Sequence, residues 1–179
     1  MVLAPLFVVI AAAVKLTSRG PVFYRGVRAG KDGLAFRLVK FRSMYTDRDG
    51  SGITRADDDR ITPVGKVLRK LKLDEFPQLV NVLKGEMTLV GPRPEDPRFV
   101  EFYPEELKRI LTLKPGITSA ASLRFRDESS LLASGDHEKE YVERILPEKL
   151  RVDLEYFDRA GFWDHVGLIL RTVLGKGKI

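Results

Sequence analysis

The stretch Leu73-Asp-Glu-Phe-Pro-Gln-Leu-Val-Asn-Val-Leu-Lys-Gly-Glu-Met-Thr-Leu-Val-Gly-Pro-Arg-Pro94 contains most of the chemically informative residues of this 179-residue chain. Asp74 is the predicted N-cap of a helix, because a side-chain oxygen at that position accepts a hydrogen bond from a free backbone N–H. Glu75 favours the positive end of the helix, and Pro77 lies early enough that its missing N–H breaks no bond. Gly85 is the predicted end of the helix.

The same stretch ends in an apolar run and a rigid turn. The run Met87 to Val90 predicts a short buried strand. It leads into the turn 91–94, Gly-Pro-Arg-Pro, in which two prolines fix the backbone on either side of Arg93. Each feature alone has a structural explanation, as a helix cap or as a turn. Together, two carboxylates at a helix start and a nearby fixed guanidinium indicate a site that acts on phosphate.

The stretch resembles the signature of the bacterial sugar transferase family, the monotopic polyprenyl-phosphate phosphoglycosyl transferases. That signature reads Asp-Glu-x-Pro-Gln-Leu, then Asn-Val-Leu-x-Gly-(Asp/Glu)-Met, then Val-Gly-Pro-Arg-Pro, and every position is filled here. Four further segments match the family in its order and extend the resemblance over most of the chain: Gly20–Phe23, Lys40–Met44, Asp59–Thr62 and Lys114–Thr118.

The resemblance implies a fold and an activity. The implied fold is an α/β single compact domain with a short β-hairpin or sheet, several helices and an N-terminal apolar helix of the re-entrant membrane type. The implied reaction moves a phosphosugar from a nucleoside diphosphate sugar, a UDP-sugar, to polyprenyl phosphate and releases the nucleoside monophosphate. It would be the first membrane step of bacterial glycan assembly, with Mg²⁺ as cofactor. The implied partners are the nucleotide sugar, polyprenyl phosphate, membrane lipids and a second copy of the chain.

The resemblance also assigns roles to residues. Asp74 is the predicted nucleophile, forming a covalent phosphosugar intermediate, because the start of its helix would keep its short side chain ionised and fixed. Glu75 has an additional methylene and is the predicted partner of Mg²⁺, and both carboxylates are candidate metal ligands. The cations and the amide predicted to bind phosphate or substrate are Lys40, Arg42, Arg69, Gln78, Arg93 and Arg126.

Two segments depart from the family pattern. The family has small hydroxyl residues before Leu-Asp-Glu, where this chain has Leu71 and Lys72. After the turn 115–118 the usual Gly-Trp-Ala-Gln is replaced by Ser-Ala-Ala-Ser at 119–122, although Arg126 still falls where the family has an arginine. These departures indicate a subgroup with a different nucleotide-sugar pocket.

Charge is concentrated at the N-terminal end of the chain. Residues 1–40 contain seven basic residues and one acid, Asp32, which accounts for the whole net charge of +6. A basic band next to an apolar segment predicts binding to an anionic membrane surface. Nucleic acid is not a predicted partner, because aromatic residues do not alternate with the basic ones and no binding motif is present.

The first fourteen residues carry no charge, and Lys15 follows them. As a helix they reach roughly 21 Å, less than the roughly 30 Å of a bilayer core, so they are not expected to span it. A signal peptide is disfavoured because no basic residue precedes the apolar run. Ala4-Pro5 stands where the family has the Ser-Pro kink of its re-entrant helix. Residues 1–16 are therefore predicted to be a shortened membrane-associated helix broken at Pro5, and residues 17–179 a catalytic domain at the cytoplasmic face of the bacterial inner membrane.

The remaining pattern predicts secondary structure only. Two strands rich in β-branched or aromatic residues, joined by a glycine-containing connector, predict a hairpin, and the polar segment Tyr45 to Asp59 predicts a mobile loop. Thr62 is a predicted N-cap with Pro63 at the first helical position. There is no cysteine, and the two histidines have no metal-binding spacing. The predicted strands are Pro21–Val27 and Leu34–Lys40, and the predicted later helices are Asp96–Tyr103, Pro104–Leu113, Asp136–Leu146, Pro147–Arg159 and Phe162–Leu174.

Two other classes of function are compatible with parts of this pattern. A non-catalytic peripheral membrane protein that binds acidic lipid or nucleotide would explain the basic band and the apolar ends. It would not explain an acidic pair beside fixed cations, because carboxylates weaken anion binding. A soluble Mg²⁺-dependent phosphatase with an aspartyl nucleophile would explain the acidic pair but has no need of an apolar N-terminus.

Overall fold

Two small sheets carry the segments that the sequence singled out. The computed structural model describes residues 4–46, 58–126 and 137–175. Strands β1 (Phe23–Ala29) and β2 (Ala35–Phe41) form an antiparallel hairpin, while β3 (Thr88–Val90) and β4 (Gly116–Thr118) pair in parallel. The predicted hairpin is confirmed, with both strands displaced by one or two residues toward the C-terminus.

Helices make up most of the rest of the described chain. The helix α8 has the predicted bounds, and Thr62 caps α2 as predicted, since its Oγ1 accepts from the N–H of Gly65 at 2.9 Å. The α-helices are α1 (Ala4–Thr17), α2 (Pro63–Lys70), α3 (Leu79–Leu83), α4 (Pro97–Val100), α5 (Ala120–Arg124), α6 (His137–Glu140), α7 (Leu146–Arg159) and α8 (Phe162–Leu174). The 3₁₀ segments are Lys31–Gly33, Leu73–Gln78 and Glu105–Thr112, and Tyr141–Ile145 forms a π-helical turn.

The prediction that Asp74 is an N-cap is wrong. Lys72 occupies the cap position in a left-handed conformation, with φ of 57°, and a 3₁₀ helix begins at Leu73. Leu73 packs against an apolar cluster beneath the helix and belongs to the first turn, so the helix starts two residues earlier than predicted and Asp74 lies inside that turn. Gly85, with φ of 77°, follows the end of α3 as predicted.

Other predictions needed correction in length or burial. The strand predicted at Met87–Val90 is shorter and not fully buried, because Leu89 is 47% exposed. The helix predicted to start at Asp96 is a four-residue turn, the next is 3₁₀ rather than α, and α5 was not predicted. Most of the predicted loop lies at residues 47–57, outside the described residues.

Helix α1 packs directly on the hairpin and on α2. Its Ile10 and Val14 form a buried cluster with Phe41 and Leu68. Pro5 lies in the first turn of α1, where its missing N–H breaks no bond, so the helix continues unbroken to Thr17. Within the described ranges, no helix has the length and apolar character needed to cross a membrane.

A second core joins the C-terminal helices to the segment after β3. Phe99 and Tyr103 meet Tyr141 and Leu146 there, with further buried residues of α7. Glu95, two residues after Arg93, is held at the edge of this core. Its carboxylate accepts from the Tyr141 hydroxyl at 2.8 Å and lies 3.6 Å from the Lys149 ammonium.

Two glycines bring the turn 91–94 against the turn before β4. The N–H of Gly91 donates to the carbonyl of Thr118 at 3.0 Å, and the N–H of Gly116 donates to the carbonyl of Pro92 at 2.9 Å. A Cβ on Gly116 would overlap the backbone nitrogen of Gly91. Only glycine permits this approach, which fixes the position of Arg93.

Gly116→Ala is expected to destabilise the protein by about 1–3 kcal/mol, because the added methyl overlaps backbone atoms that cannot rotate away. Gly167→Ala is the matched control. Gly167 lies within α8, where an added methyl group would meet no atom of the described residues within 4 Å, so alanine is expected to stabilise the helix by up to about 1 kcal/mol. Thermal and urea unfolding measure both. Equal stability of the two variants would contradict the close approach of the turns.

Candidate active site

Glu75 is the centre of a cluster built from three distant segments. Its Oε1 accepts from the Lys40 ammonium at 3.2 Å and from Nη2 of Arg93 at 2.8 Å. Lys40 comes from β2, Glu75 from the 3₁₀ helix and Arg93 from the rigid turn after β3. The structure therefore brings together three of the residues that the sequence selected.

Asp74 is buried beside this cluster but accepts neither of the hydrogen bonds that Lys40 and Arg93 donate to Glu75. Its side chain is 5% exposed, and no hydrogen bond reaches its buried Oδ1 from the described residues. Burial, and then the neighbouring charge of Glu75, raise the pKa of Asp74 despite the attraction of Lys40, Arg69 and Lys72. The helix start therefore does not hold the pKa of Asp74 low, because desolvation and like charge outweigh the favourable contributions.

Glu75 behaves in the opposite way. Burial alone would raise its pKa, but the charges of Arg93, Lys40 and Lys72 together hold that pKa well below its usual range. The two adjacent carboxyl groups therefore differ in protonation tendency. Neighbouring acids whose pKa values are shifted in opposite directions are typical of sites in which the two acids perform different tasks.

Two further cations flank the acidic pair. Arg69, at the end of α2, and Lys72 are half-buried, and burial lowers the pKa of each while Asp74 and Glu75 oppose that shift. The sequence pattern indicated Arg69 as a site residue, whereas Lys72 stood out only as a departure from the family pattern. The left-handed backbone of Lys72 could not be read from the sequence, because non-glycine residues rarely adopt it.

Asn81 aligns the site helix with the strand that carries Lys40. Its Oδ1 accepts from the N–H of Val39 at 3.1 Å, and its Nδ2 donates to the carbonyl of Arg37 at 2.8 Å and to Glu86 at 2.7 Å. Asn81 is fully buried. An asparagine within an otherwise apolar helix was the signal that could have identified it.

Gln78 lies buried at the end of the 3₁₀ helix, one turn beyond Glu75 and on the same face. Arg126 is half-buried after α5, and its guanidinium lies beside the position of Gly175 at the end of α8. The charge of Arg126 lowers the pKa of Lys72, so it acts at the edge of the cluster.

Arg42 does not join the carboxylates. It follows the last residue of β2, where strand alternation with Lys40 no longer applies, and its guanidinium faces the C-terminal end of α1. The free carbonyls at a helix end attract a buried cation, which explains this placement. The prediction that Arg42 binds phosphate or substrate together with Lys40 is corrected accordingly.

The donor set is compatible with Mg²⁺ held jointly with substrate. No group of three His, Cys, Asp or Glu side chains suited to a metal occurs in the part of the chain that the structure describes. Mg²⁺ is commonly bound through one or two carboxylates plus phosphate oxygens, so Asp74 and Glu75 suffice. Oδ1 of Asp74, which accepts from no described residue, is the better candidate ligand, because Oε1 of Glu75 already accepts from two cations.

Comparison with known proteins confirms the resemblance. The profile of the family described as bacterial sugar transferase matches residues 1–176, so the chain belongs to that family. It is 38% identical over 176 residues to the UDP-glucose:undecaprenyl-phosphate glucose-1-phosphate transferase of Caulobacter vibrioides, covering 95% of this chain and 62% of the relative.

Two other relatives carry similar names. The UDP-glucose:undecaprenyl-phosphate glucose-1-phosphate transferase of Escherichia coli K12 is 36% identical over 179 residues, which are 97% of this chain and 36% of the relative. The UDP-N-acetylgalactosamine-undecaprenyl-phosphate N-acetylgalactosaminephosphotransferase of Aeromonas hydrophila is 35% identical over 175 residues, with coverage of 95% and 38%. The chain thus spans less than two thirds of the length of each of these three relatives.

Asp74→Asn is expected to stabilise the folded protein at neutral pH. The folded-state pKa of Asp74 lies above its ordinary value of 3.8. Ionisation of Asp74 therefore lowers the stability of the folded protein as the pH rises from 3.8 through the folded-state pKa, and this loss remains at higher pH. Asparagine does not titrate and also removes the repulsion of Glu75. Thermal unfolding of both proteins between pH 3.5 and 8 measures this. A wild type that is more stable than the variant at pH 7 would contradict the assigned direction.

Proposed function

We propose that this chain is a phosphoglycosyl transferase that moves a phosphosugar from a nucleoside diphosphate sugar to polyprenyl phosphate through a covalent intermediate on Asp74. The observation that carries the proposal is the buried Oδ1 of Asp74, to which no described residue donates, beside an ion-paired Glu75. The names of the relatives support UDP as the nucleotide carrier and undecaprenyl phosphate as the acceptor.

In the first half-reaction, the Asp74 carboxylate attacks the β-phosphorus of the donor. An Asp–O–P bond forms, the bond between the β-phosphorus and the bridging oxygen breaks, and the nucleoside monophosphate leaves with that bonding electron pair. Lys40, Arg69 and Arg93 lie where cations can stabilise the charge on the phosphoryl oxygens. Mg²⁺ bound to the carboxylates and phosphates would add to this stabilisation and favour ionised Asp74.

In the second half-reaction, a phosphate oxygen of the polyprenyl phosphate attacks the phosphorus of the intermediate. The Asp–O–P bond breaks, and the Asp74 carboxylate is regenerated as the polyprenyl diphosphosugar leaves. Burial serves the first attack, because it raises the free energy of the Asp74 carboxylate relative to the acyl phosphate, in which the carboxyl group itself carries no charge. Glu75 stays anionic and orients the two cations that bind to it.

The two alternative classes fit less well. A non-catalytic lipid or nucleotide adaptor gains nothing from a buried carboxylate oxygen to which no described residue donates, since it only weakens anion binding. An aspartyl phosphatase would use the same nucleophile, but water would replace the lipid phosphate as acceptor. Membership in a sugar transferase family favours transfer over hydrolysis.

The covalent step is tested by intact-protein mass spectrometry after mixing the enzyme with Mg²⁺ and a panel of UDP-sugars, without acceptor. We expect one donor to add a phosphosugar mass to the wild type and to release UMP in the same amount. Asp74→Asn should gain no mass, because an amide is not a nucleophile here. Steady-state kinetics with acceptor should be of the ping-pong type.

Asp158→Asn is the control for the labelling experiment. Asp158 is an exposed aspartate that pairs with Arg109, far along the chain from the acidic pair, so this variant should be labelled as the wild type is. Equal labelling of Asp74→Asn and wild type would overturn the nucleophile assignment. Turnover by a wild type that never gains mass would replace the intermediate with direct transfer.

We also propose that residues 1–16, which include most of α1, are the membrane-associated segment at the cytoplasmic face of the bacterial inner membrane, with residues 17–179 as the catalytic part and a second copy of the chain as a partner. Val8, Val9 and Leu16 are exposed on α1, opposite the side that packs on the core. The basic residues that follow α1 suit an anionic surface. Exposed Phe162 and Trp163 on α8 offer a second apolar contact.

Val9→Glu is expected to weaken binding to vesicles that contain anionic lipid by about tenfold or more, because it adds a repelled charge to the contact face. Leu83→Glu makes the same change at an exposed leucine of α3 and should have little effect. Co-sedimentation measures binding. Labelling of the two chain ends from opposite faces of a sealed vesicle would contradict attachment to one face.

A further inference from the structure

The guanidinium of Arg42 is enclosed by the backbone at the end of α1. Its Nη2 donates to the carbonyls of Ser18 at 2.8 Å and Val14 at 3.2 Å and to the Ser18 hydroxyl at 2.9 Å, while Nη1 donates to the carbonyl of Arg19 at 2.6 Å. The side chain is 3% exposed. These hydrogen bonds join one side chain of the hairpin to the last turn of a helix.

Breaking the contact between Arg42 and the end of α1 would be costly both for the guanidinium and for the carbonyls. No carboxylate pairs with Arg42 in the described ranges, so the carbonyls and the negative end of α1 are what compensate its buried charge. Without Arg42, the carbonyls of Ser18 and Arg19 would lose the hydrogen bonds that its guanidinium donates, whereas that of Val14 would keep the Ser18 hydroxyl as a donor. The strand β2 and helix α1 are thus held in one relative position.

Gly20 makes room for the guanidinium. Its φ of 120° lies in a region that favours glycine, and a Cβ there would overlap Nη1 of Arg42. The carbonyl of Gly20 also accepts from the Lys15 ammonium at 3.2 Å, which closes the turn after α1. The backbone at the end of α1 is therefore shaped around the side chain that enters it.

The apolar cluster beneath the site transmits the position of α1 to three site segments. Phe41 lies between Lys40 and Arg42 in sequence, Leu68 precedes Arg69, and Leu73 precedes Asp74. All three apolar residues pack in the cluster that contains Ile10 and Val14 of α1. A shift of α1 would therefore displace the backbone next to Lys40, Arg69 and Asp74 at the same time.

We propose that Arg42 is a positioning residue that locks α1 to the segments carrying Lys40, Arg69 and Asp74, so that the position of α1 sets the geometry of the active site. The proposal rests on the proposed function and deepens it. The apolar helix is then part of the catalytic scaffold, and its role extends beyond attachment to lipid.

The labelling half-reaction separates the role of α1 in the catalytic scaffold from its role in attachment to lipid, because a water-soluble donor reacts with Asp74 without any lipid acceptor. Full-length chain in detergent is mixed with the UDP-sugar that labels the wild type, and the rate of mass gain is followed at saturating donor. Arg42→Gln is expected to slow labelling by about 100-fold, the effect of a misplacement near 1 Å. Its binding to anionic vesicles should stay within about twofold of wild type, since the α1 face exposed to lipid is unchanged.

Three further variants make the result specific. Arg151→Gln removes the same charge from an exposed side chain of α7, outside the site and the basic band, and should label as wild type does. Arg42→Lys should recover part of the rate, because an ammonium donates to fewer carbonyls than a guanidinium fork. Gly20→Ala keeps the charge of Arg42 but displaces its guanidinium, and should slow labelling as Arg42→Gln does.

Amide hydrogen exchange gives a readout that does not need activity. In Arg42→Gln, peptides covering residues 39–41 and 73–78 should exchange faster at a temperature at which the variant remains folded, whereas Arg151→Gln should match wild type. Labelling and exchange of Arg42→Gln at wild-type rates would overturn the proposal. A wild type that is never labelled would instead count against the proposed function, and the exchange result would still decide the role of Arg42.

Discussion

The double ion pair at Glu75 is the interaction on which the site depends. Two adjacent carboxyl groups are buried together, and their charges repel each other at short range. Lys40 and Arg93 resolve this conflict by compensating one carboxylate and leaving the other. Because these cations lie 35 residues before and 18 residues after Glu75, forming this pair requires the hairpin, the 3₁₀ helix and the parallel strands to meet.

The difference between the two carboxyl groups explains why Asp74, whose carboxylate is the less stabilised, is the candidate nucleophile. An acid that is ion-paired from two sides is a poor nucleophile, because attack would require it to give up those contacts. Asp74 has a buried oxygen without such contacts in the described part of the chain, so bonding to phosphorus or to a metal ion replaces none of them. The unfavourable burial of the Asp74 oxygen thus lies at the atom for which chemistry is proposed. Such a cost to stability is expected where stability and activity oppose each other.

Local features of this fold were readable from the sequence, whereas long-range ones were not. The hairpin follows from its β-branched and aromatic residues and its glycine connector, the Thr62 cap from capping preference and α8 from its apolar face, and Lys40 and Arg93 were selected through their motifs. The role of Arg42 depends on which backbone lies opposite, and neighbouring residues carry no signal of that. Asn81 stands out as a polar residue in an apolar helix, but its hydrogen-bond partners could not be read from the sequence. Lys72 has a left-handed backbone and precedes Leu73, whose packing in the apolar cluster could not be read from the sequence.

Helix α1 shows how a short apolar segment can have two neighbours at once. One side buries Ile10 and Val14 against the hairpin and α2, while Val8, Val9 and Leu16 remain exposed. The exposed side is the one proposed to contact lipid, so the core contact and the proposed lipid contact belong to one rigid helix. Any force that lipid exerts on α1 reaches Phe41 and its neighbours directly, because closely packed side chains transmit displacement with little compression. In the proposed function, membrane attachment and active-site geometry are therefore properties of one helix position.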